Sequence, residues 1–540
     1  MASLRAPLFG ALLIAAPAVV SAQNSPLPRV AESGGRHAFL VDNQPFLILG
    51  GQTNNSSNYP AVLPQVWPVI DALHANTVEI PVAWEQIEPV EGRFEFSWID
   101  ALLPQARQHN VRLVLLWFGA FKNTSPSYAP VWVKGNTKRF PRMVTKEGKT
   151  HYVLTPLAAS TLHADSRAFA ALMRHIREVD PQHTVIMMQV ENETGSYGSP
   201  RDFSAEANRL FAQPIPAELA RKAGKSGTWS QVYGWKADEA FNAWYTARYV
   251  DQVAAAGQAE LDLPMYANAA LSNPFDEKQA ITSASGGPNW NVIDIWKAAA
   301  PHLSLVAPDI YDRDYAVNEK QLENYARPDN ALFVPENGNA LEFSRFLWLA
   351  LGKGAIGWSA FGMDATGYSN FPLGARELDA ATLDAFASKY AVLAPVARDW
   401  AKLSFEHPTI GFAKSKDGSD QSATLGRWKV TAMYGMWEFG ERDWTWIDTP
   451  PNPKKELPVG GAAVIQLGPD EFLLAGSDVR IRFALERPSA GDNVQFLDVE
   501  EGTFENGQWV MKRRWNGDQT DYGLNLTRPV LLKVRMGIYR

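Results

Sequence analysis

Short apolar runs alternate with amphipathic stretches along residues 46–361 of the chain. Eight such runs are bounded by Gly, Pro, Asn or charged residues, and they lie at residues 46–51, 77–82, 112–118, 184–190, 263–268, 303–310, 331–335 and 354–361. Runs of this length are typical of strands that are buried on both faces of a sheet. Between them the apolar positions recur with helical spacing, for example at residues 168–180 and 340–354.

Eight strand–helix units in succession predict an α/β fold, a (β/α)₈ TIM barrel. A doubly wound open sheet is the alternative, and it is disfavoured because no Gly-rich phosphate-binding loop follows the first run. A long segment rich in Pro, Gly, Ser and Lys interrupts the alternation at residues 195–231, after the fourth run. This segment predicts a loop or small subdomain on the substrate side of the barrel.

The pattern changes after residue 402 to short segments of alternating apolar and polar residues, such as 461–468 and 479–486. This alternation predicts a C-terminal antiparallel β-sandwich domain. The predicted domains are therefore a barrel at residues 23–401 and a sandwich at residues 402–540. The segment that joins them, 390–407, is short and apolar, whereas linkers to independent modules are usually rich in Gly, Ser or Pro. We therefore expect the sandwich to pack against the barrel.

The first 22 residues have the features of a secretory signal peptide. Arg5 precedes an apolar run at residues 6–20, and Val20-Ser21-Ala22 provides a cleavage site with small residues. The run is too short for a membrane anchor, so no membrane contact is expected once the peptide is removed. The chain has no cysteine, which excludes disulfides. In an exported protein of this size, that favours a bacterial periplasmic or secreted location.

Composition excludes several other classes of partner. The chain has 540 residues and a net charge of −7, with both signs interspersed and no basic stretch that could follow a phosphate backbone, so we expect no nucleic-acid partner. Its nine histidines show no metal-ligand spacing, so we predict no metal and no cofactor. The 19 Trp and 16 Tyr supply flat amphipathic faces that suit sugar rings.

Carboxylates occur where two of the predicted strands end. The fourth run leads into Glu191-Asn192-Glu193, and the seventh leads into Glu336. A barrel places its chemistry at the carboxyl ends of its strands, and a buried carboxylate needs a partner or a use. Two carboxylates that face each other across a barrel mouth can act as acid and nucleophile on an acetal. The chain turns where the fourth strand ends, so only one of Glu191 and Glu193 need reach the centre, and we select Glu193.

Only the fold can bring Glu193 and Glu336 together, because 336 − 193 = 143 positions separate them. The fourth and seventh strands of an eight-stranded barrel are not neighbours, so the two side chains must converge over the barrel axis. Retaining glycosidases hold their carboxyl groups about 5–5.5 Å apart, and inverting enzymes about 6.5–9.5 Å. We predict the retaining separation.

A known family shares the sequence around the first of these glutamates. The stretch QVENETGSYG, residues 189–198, resembles the acid/base motif of glycoside hydrolase family 35, the β-galactosidases, whose usual form is QVENEYGS. Residues 76–100 are similar to the second-strand segment of families 35 and 42. The resemblance covers residues 36–391, and it identifies the chain as a divergent bacterial branch of family 35.

The resemblance implies a role for several side chains. Glu193 would be the acid/base, Glu336 the nucleophile, and Asn192 the amide that grips the sugar 2-hydroxyl, while Glu191 would support them from behind. Position near a strand end, rather than the resemblance, adds two candidates: Tyr311 after the sixth run could hydrogen-bond the nucleophile, and Trp358 in the eighth run either stacks under the sugar or belongs to the core. Three further residues near predicted strand ends are candidates for substrate binding: Asn54, Trp84 and Asn268.

The chain departs from the pattern of family 35 at two places. It has Pro81 where that family carries a Tyr, and residues 119–128 replace an Ala-Glu-Trp stretch. Those family positions normally hold the galactose ring, whereas the two-carboxylate chemistry does not depend on them. The chain also has no cysteine for the zinc site that is frequent in family 42.

The sequence thus predicts a secreted, retaining exo-glycosidase that hydrolyses terminal β-galactosides of an oligosaccharide or polysaccharide. Two alternatives stay open. One is a different barrel glycosidase, either an endo-β-glycanase or a β-arabinosidase, that acts on plant wall polysaccharide. The other is a non-catalytic sugar-binding protein that has kept the scaffold.

Overall fold

The computed structural model describes residues 26–540 except 277, 279–282, 444, 446, 447, 449 and 451. The predicted signal peptide, residues 1–22, lies outside the described residues. In the described part of the chain, no helix combines the length and apolarity that crossing a bilayer requires.

A parallel sheet forms the centre of the first domain, as the eight apolar runs predict. A small antiparallel sheet precedes it, made of β1 (Arg29–Ser33), β2 (Arg36–Val41) and β3 (Gln44–Pro45). The strands of the parallel sheet are β4 (Ile48–Gln52), β5 (Thr77–Ala83), β6 (Arg112–Lys122), β9 (Val185–Asn192), β10 (Met265–Ala270), β11 (Leu305–Ile310), β12 (Phe333–Val334), β13 (Glu336–Asn337) and β14 (Gly357–Phe361). A side hairpin is formed by β7 (Arg142–Val144) and β8 (Thr150–Leu154).

The parallel sheet closes through a strand that is broken in two. The strand order is β12-β14-β4-β5-β6-β9-β10-β11-β13, so β12 pairs with the last strand while β13 pairs with β11. Pro335 lies between the two halves and has no N–H to donate to a ladder. The nine segments are therefore the eight strands of a TIM barrel, the seventh of which changes partner at Pro335 just before it delivers Glu336.

Helices surround the barrel in the order that a βα-repeat requires, and the additional helices α6 to α8 lie in the predicted insertion. The described helices are α1 (Trp67–Leu73), α2 (Trp84–Ile87), α3 (Ser97–Gln108), α4 (Val131–Lys134), α5 (Ala159–Val179), α6 (Ala205–Phe211), α7 (Ala217–Ala223), α8 (Trp229–Tyr233), α9 (Ala237–Gln258), α10 (Ile293–Ala299), α11 (Tyr315–Tyr325), α12 (Phe346–Gly352), α13 (Ala380–Leu393), α14 (Ala397–Glu406) and α15 (Pro453–Glu456). Asp314 and Asp379 cap α11 and α13 by accepting backbone N–H groups of the first turn.

Two antiparallel sheets follow the barrel and pack face to face. The first has the order β15-β18-β19-β24-β21-β22 and the second β16-β17-β20-β23. Their strands are β15 (Thr409–Ala413), β16 (Gln421–Leu425), β17 (Trp428–Met433), β18 (Gly461–Gly468), β19 (Glu471–Ser477), β20 (Val479–Leu485), β21 (Asn493–Glu505), β22 (Gln508–Arg514), β23 (Leu524–Leu526) and β24 (Val530–Tyr539). The predicted boundary at 401/402 falls inside α14, and the first sandwich strand begins at Thr409.

The hydrophobic core extends from the barrel into the sandwich. One cluster fills the space between barrel strands and helices, and it also contains Ala463, Leu473 and Leu531 from the six-stranded sheet. The backbones of α12 and β15 approach each other so closely that a Cβ on Gly352 would lie 1.9 Å from the backbone nitrogen of Gly411. The sandwich therefore shares its packing with the barrel, which accounts for the apolar character of the joining segment.

Candidate active site

The backbone turns at the end of β9, so that Glu191 and Glu193 point in different directions. Glu191 and Glu193 have positive φ values of 62° and 45°, in the left-handed region that non-glycine residues rarely adopt. Such a conformation costs on the order of 1–3 kcal/mol and persists only where the surroundings enforce it. It directs Glu191 toward β6, where Oε2 accepts a hydrogen bond from the backbone N–H of Phe121 at 2.7 Å. Glu193 instead faces the barrel mouth, where it is partly exposed.

Glu336 is held at the opposite side of the mouth. Its Oε2 accepts a hydrogen bond from Gln52 Nε2 at 2.9 Å, and its Oε1 accepts one from the Tyr311 hydroxyl. Only 4% of the residue is exposed. Both oxygens therefore have a donor, which fixes the orientation of the carboxylate. The predicted contact between Tyr311 and Glu336 is present.

A third carboxyl group joins the two glutamates. One oxygen each of Glu193, Glu336 and Asp309 lies within 4.8 Å of the other two. Burial raises the pKa of Glu193 to about 7, because it removes water from the carboxyl group, and the negative charge of Glu336 is the second cause of this shift. The opposing effects on this pKa, the charge of Lys122 and a hydrogen bond from Asp309, are smaller. Glu193 can therefore hold a proton near neutral pH.

Asn192 lies beside Glu193 with one end of its amide occupied. Lys122 Nζ donates to its Oδ1 at 2.8 Å. Its Nδ2 is buried and has no hydrogen-bond partner among the described residues. A buried amide donor without a partner is uncommon in proteins, and it suits recognition of a hydroxyl group.

Asn268 and Asn54 lie near the mouth as the sequence predicts, but most of their polar atoms bind protein groups. Asn268 Oδ1 accepts from the backbone N–H of Glu193 at 3.0 Å, and its Nδ2 donates to Asp309 Oδ2 at 2.6 Å. Asn54 donates to Asp364 from its backbone N–H at 2.7 Å and from its Nδ2 at 2.8 Å. Asn268 therefore positions the acid cluster, and Asn54 joins the loops after the first and eighth strands.

The two tryptophans predicted to bind substrate are core residues. Trp358 is 1% exposed and stacks on Phe386 of α13, with 5.8 Å between ring centroids. Successive side chains of a strand point to opposite faces, and Ser359, the next residue, faces the barrel interior where it hydrogen-bonds Glu79. Trp358 must therefore face the helices. By the same alternation, Phe361 presents its ring on the interior face at the carboxyl end of β14.

Trp84 is buried at the start of α2, away from the acid cluster. Its Nε1 donates to Glu88 Oε2 at 3.1 Å, and its ring packs edge-on against Trp132. The prediction that Trp84 contacts substrate is therefore wrong, because the helical turn that follows β5 carries its side chain outward into the helix layer.

Glu191 belongs to a second buried acid pair behind the mouth. Desolvation raises its pKa well above the usual range, and the neighbouring Asp165 adds to this shift. Asp165 accepts hydrogen bonds from Trp117 Nε1 at 2.9 Å and from the Tyr249 hydroxyl at 2.8 Å. This network fixes the turn at the end of β9 from the outside, which agrees with the supporting role that the resemblance implies for Glu191.

Sequence reasoning missed Asp309 and Lys122. Asp309 precedes Tyr311 by two positions in PDIYD, so one could have been inferred from the other by strand alternation. Lys122 ends an otherwise apolar strand in WFGAFK, where a charged residue needs a buried partner. Neither position matches a motif.

The acid cluster is the one group of His, Asp and Glu side chains in the described part of the chain that is compact enough for a metal ion. The hydrogen bonds that these carboxyl groups already accept do not fit a metal site. Gln52, Tyr311 and Asn268 already occupy oxygens of Glu336 and Asp309. Lys122, whose charge acts on Glu193 and Asp309, also supplies a positive charge beside them. The protein itself thus supplies hydrogen-bond donors and a positive charge to this cluster of carboxyl groups.

Two tyrosines form the rim of the mouth on the side of Glu193. The Tyr152 hydroxyl hydrogen-bonds Thr124 Oγ1 at 2.6 Å, and the Thr124 backbone N–H donates to the carbonyl of Glu193 at 3.0 Å. Tyr197 lies in the loop after β9, and the charge of Glu193 acts on its hydroxyl. Both are exposed, at 43% for Tyr152 and 38% for Tyr197. Exposed aromatic faces beside an acid are suited to a sugar ring.

Two family models match the chain. Residues 67–259 match the glycoside hydrolase family 42 model, described as beta-galactosidase, and residues 386–527 match a domain of unknown function, DUF5597. The matching barrel family is thus family 42, whereas the motif at the end of β9 resembles family 35.

Individual relatives carry the same description. A β-galactosidase of Xanthomonas manihotis is 28% identical over 223 residues, which is 38% of this chain and 33% of that protein. The chain therefore matches about a third of the length of this curated relative. The solved β-galactosidase of Bacillus circulans sp. alkalophilus is 14% identical with a TM-score of 0.47, over 66% of this chain and 57% of that one. That of Rahnella sp. R3 is 14% identical with a TM-score of 0.45, over 67% and 61%. The chain is thus glycoside hydrolase-like and, more narrowly, β-galactosidase-like.

Proposed function

We propose that the protein is a retaining exo-glycosidase that removes terminal β-galactosyl residues from oligosaccharides or polysaccharides. One observation carries the proposal: Glu193 and Glu336 come from non-neighbouring strands, yet their carboxylate oxygens lie within 4.8 Å. Carboxyl groups lie about 5–5.5 Å apart in retaining glycosidases and about 6.5–9.5 Å apart in inverting ones, and nearest oxygens within 4.8 Å of each other are compatible with the shorter separation.

The two glutamates divide the chemistry between them. Glu336, oriented by Tyr311 and Gln52, attacks the anomeric carbon and forms an ester with the sugar. Glu193 gives its proton to the leaving glycosidic oxygen as the bond to that oxygen breaks. Glu193, now ionised, takes a proton from water, and the resulting hydroxide breaks the ester and restores Glu336. Configuration at the anomeric carbon is inverted twice and so retained.

Neighbouring groups prepare the site for this reaction. The unpartnered Asn192 Nδ2 donates to a hydroxyl next to the anomeric carbon, while Lys122 fixes the other end of the amide. A hydrogen bond to that hydroxyl that strengthens in the transition state contributes several kcal/mol. Galactose as the glycone is supported by the beta-galactosidase description of the matching model and of the curated relative.

Product stereochemistry and a substrate panel test the proposal. We expect hydrolysis of nitrophenyl β-galactoside in preference to the arabinoside, glucoside and xyloside, with the β-anomer of galactose appearing first by ¹H NMR. Initial release of the α-anomer would contradict the retaining mechanism. Single galactose units released from oligosaccharides would support exo action, and internal fragments would support the endo alternative.

Covalent trapping tests the assignment of the nucleophile. A 2-fluoro-galactoside with an activated leaving group should add one sugar mass to the protein, and peptide mapping should place it on Glu336. Glu336→Gln should remain unlabelled. Label on any other residue would overturn the assignment of Glu336.

A second glycone is favoured by specific positions. Pro81 lies on β5, and residues 119–128 follow the third strand of the barrel, and both differ from the galactose-holding residues of family 35. A β-arabinosidase or an endo-β-glycanase that uses the same two carboxylates would fit these changes. The same substrate panel separates these outcomes, and binding of sugars without any hydrolysis would favour the non-catalytic alternative.

We also propose that the chain is exported and that, among the β-galactosidase families, it belongs to family 35. Export rests on the pattern of residues 1–22, and the family assignment on residues 189–198. N-terminal sequencing of the protein from a bacterial periplasmic fraction should begin at Gln23. A start at Ala2 would contradict the cleavage site.

A further inference from the structure

Asp309 is a buried carboxyl group that the two-glutamate mechanism leaves without a role. It lies on β11 in register with Glu336 of β13, and only 2% of it is exposed. Asn268 Nδ2 donates to its Oδ2 at 2.6 Å. Its Oδ1 is buried and has no hydrogen-bond partner in the described part of the chain. One oxygen of Asp309 lies within 4.8 Å of an oxygen of Glu193.

Three carboxyl groups this close cannot all be ionised. Burial raises the pKa of Asp309 well above its usual range, and the charges of Glu336 and then Glu193 raise it further. Lys122 is the cation that opposes this shift, and Asn268 opposes it by its hydrogen bond. The other titratable groups that act on Asp309 or on its two partners from the surrounding elements are tyrosines and one acid: Tyr197, Tyr266, Tyr311, Tyr325 and Glu79.

We propose that Asp309 is a positioning residue that acts as a neutral acid and donates a hydrogen bond from its carboxyl group to Glu193. The inference rests on the proposed glycosidase function. Asn268 holds Asp309 through Oδ2 and holds the backbone of Glu193 through its own Oδ1, so one amide sets the distance between the two acids.

The hydrogen bond has a different effect at each stage of the reaction. While Glu193 is protonated, its proton is available to the leaving oxygen. Once Glu193 has given up that proton, the Asp309 hydroxyl stabilises the carboxylate that remains. Asp309 keeps its own proton throughout and acts through Glu193, so the pair gains or loses no proton beyond the one that Glu193 transfers.

Two substitutions distinguish a neutral Asp309 from an ionised one. Asp309→Asn preserves both hydrogen bonds, because its carbonyl can accept from Asn268 and its amide can donate to Glu193. We expect its basic limb of kcat/KM against pH to match that of the unchanged protein. Asp309→Ala removes the donor, and we expect its basic limb to move upward by about one pH unit, since hydrogen bonds to charged groups have that strength. Asp312→Asn, on the exposed side of the same strand end, is the control and should leave the limb in place.

The opposite sign would overturn the proposal. If Asp309 were ionised, it would repel a charge on Glu193, and both substitutions would lower the basic limb. An unchanged limb in Asp309→Ala would also overturn it. A merely structural role would lower kcat/KM at every pH without moving the limb, and Asp309→Asn would not rescue it.

A measurement without turnover keeps this inference separate from the proposed function. In protein labelled with ¹³C at the aspartate carboxyl, the signal that disappears in Asp309→Asn should have the shift of a neutral acid at about pH 6. The shift of an ionised carboxylate at that pH would contradict the proposal even if the enzyme hydrolyses galactosides. The shift of a neutral acid in a protein with no glycosidase activity would sink the proposed function alone.

Discussion

The barrel mouth and the seam between barrel and sandwich are both buried, but they are built from opposite kinds of groups. The mouth gathers three acids within 4.8 Å, with left-handed backbone at Glu191 and Glu193. The seam, formed by α12 against β15 and β18, brings glycine backbones into contact, and a Cβ on Gly411 would lie 2.5 Å from the carbonyl oxygen of Trp348.

The difference shows where this molecule is stabilised and where it is strained. Close apolar packing at the seam gains dispersion contacts and loses them steeply with any misfit. Like charges and unpartnered polar atoms at the mouth oppose folding and are tolerated only because the rest of the barrel enforces them. Substitutions at the seam should therefore reduce stability, and substitutions at the mouth should reduce activity.

Removal of the sandwich is expected to have the largest effect. A chain that stops after Glu406 leaves the apolar face of α12 and the shared core without a partner. We expect insoluble or inactive protein in expression and solubility assays, with the full chain as the control. A soluble truncated chain with unchanged activity would show that the seam is dispensable.

The catalytic glutamates should show the reverse behaviour. Glu193→Gln and Glu336→Gln should each lower kcat on a glycoside with a poor leaving group by about 10³-fold or more, because each removes a group that acts as part of one unit. Their melting temperatures should stay within a few degrees of the unchanged protein or rise, because a like charge is removed. Near-normal turnover of Glu193→Gln would refute its role as the acid.

The two faces of β14 give a comparison within one strand. Trp358→Ala should lower the free energy of unfolding by about 3–5 kcal/mol, because a large ring leaves the helix layer. Phe361→Ala, three residues on, should instead lower kcat/KM by more than its effect on stability explains. Denaturant unfolding and steady-state kinetics on both variants would test this, and equal losses of activity would contradict the alternation.

A single added side chain should be enough to disturb the seam. Gly411→Val forces side-chain atoms against the backbone of α12, and we expect the free energy of unfolding to fall by about 1–3 kcal/mol. Gly468→Val is the matched control, because the nearest atom to its Cβ is 3.8 Å away on Glu471. Urea unfolding of the two variants should separate them, while kcat at low temperature should be similar in both.

The smallest effect concerns pH. Since the pKa of Glu193 is raised from 4.5 to about 7, the folded protein binds this proton more tightly than the unfolded chain. Its contribution to stability is complete below pH 4.5 and is lost as the pH rises through about 7. The kcat/KM profile should fall on its basic side near the same pH. Glu193→Gln should flatten the pH dependence of stability over this interval, and an unchanged slope would contradict the shifted pKa.

Much of the architecture could be predicted because it depends on local pattern. The eight apolar runs located all eight barrel strands, and the alternating segments after residue 402 located the sandwich. Strand ends also directed attention to Glu193, Glu336 and Tyr311, whose positions need only the rule that a barrel collects its chemistry at one face. The structure brings these three together, while their catalytic roles stay predictions.

What the sequence alone determined is thus which residues form each element and which acids stand at the strand ends. Only the tertiary structure decided which way each side chain faces and which distant groups it meets. The sequence leaves Trp358 open between the sugar and the core, because periodicity gives two faces without saying which is inside. It gives no signal for the partners of Asp309, because they lie on β10 and β13. Side-chain direction depends on strand register and closure, which arise from contacts between residues far apart in the chain.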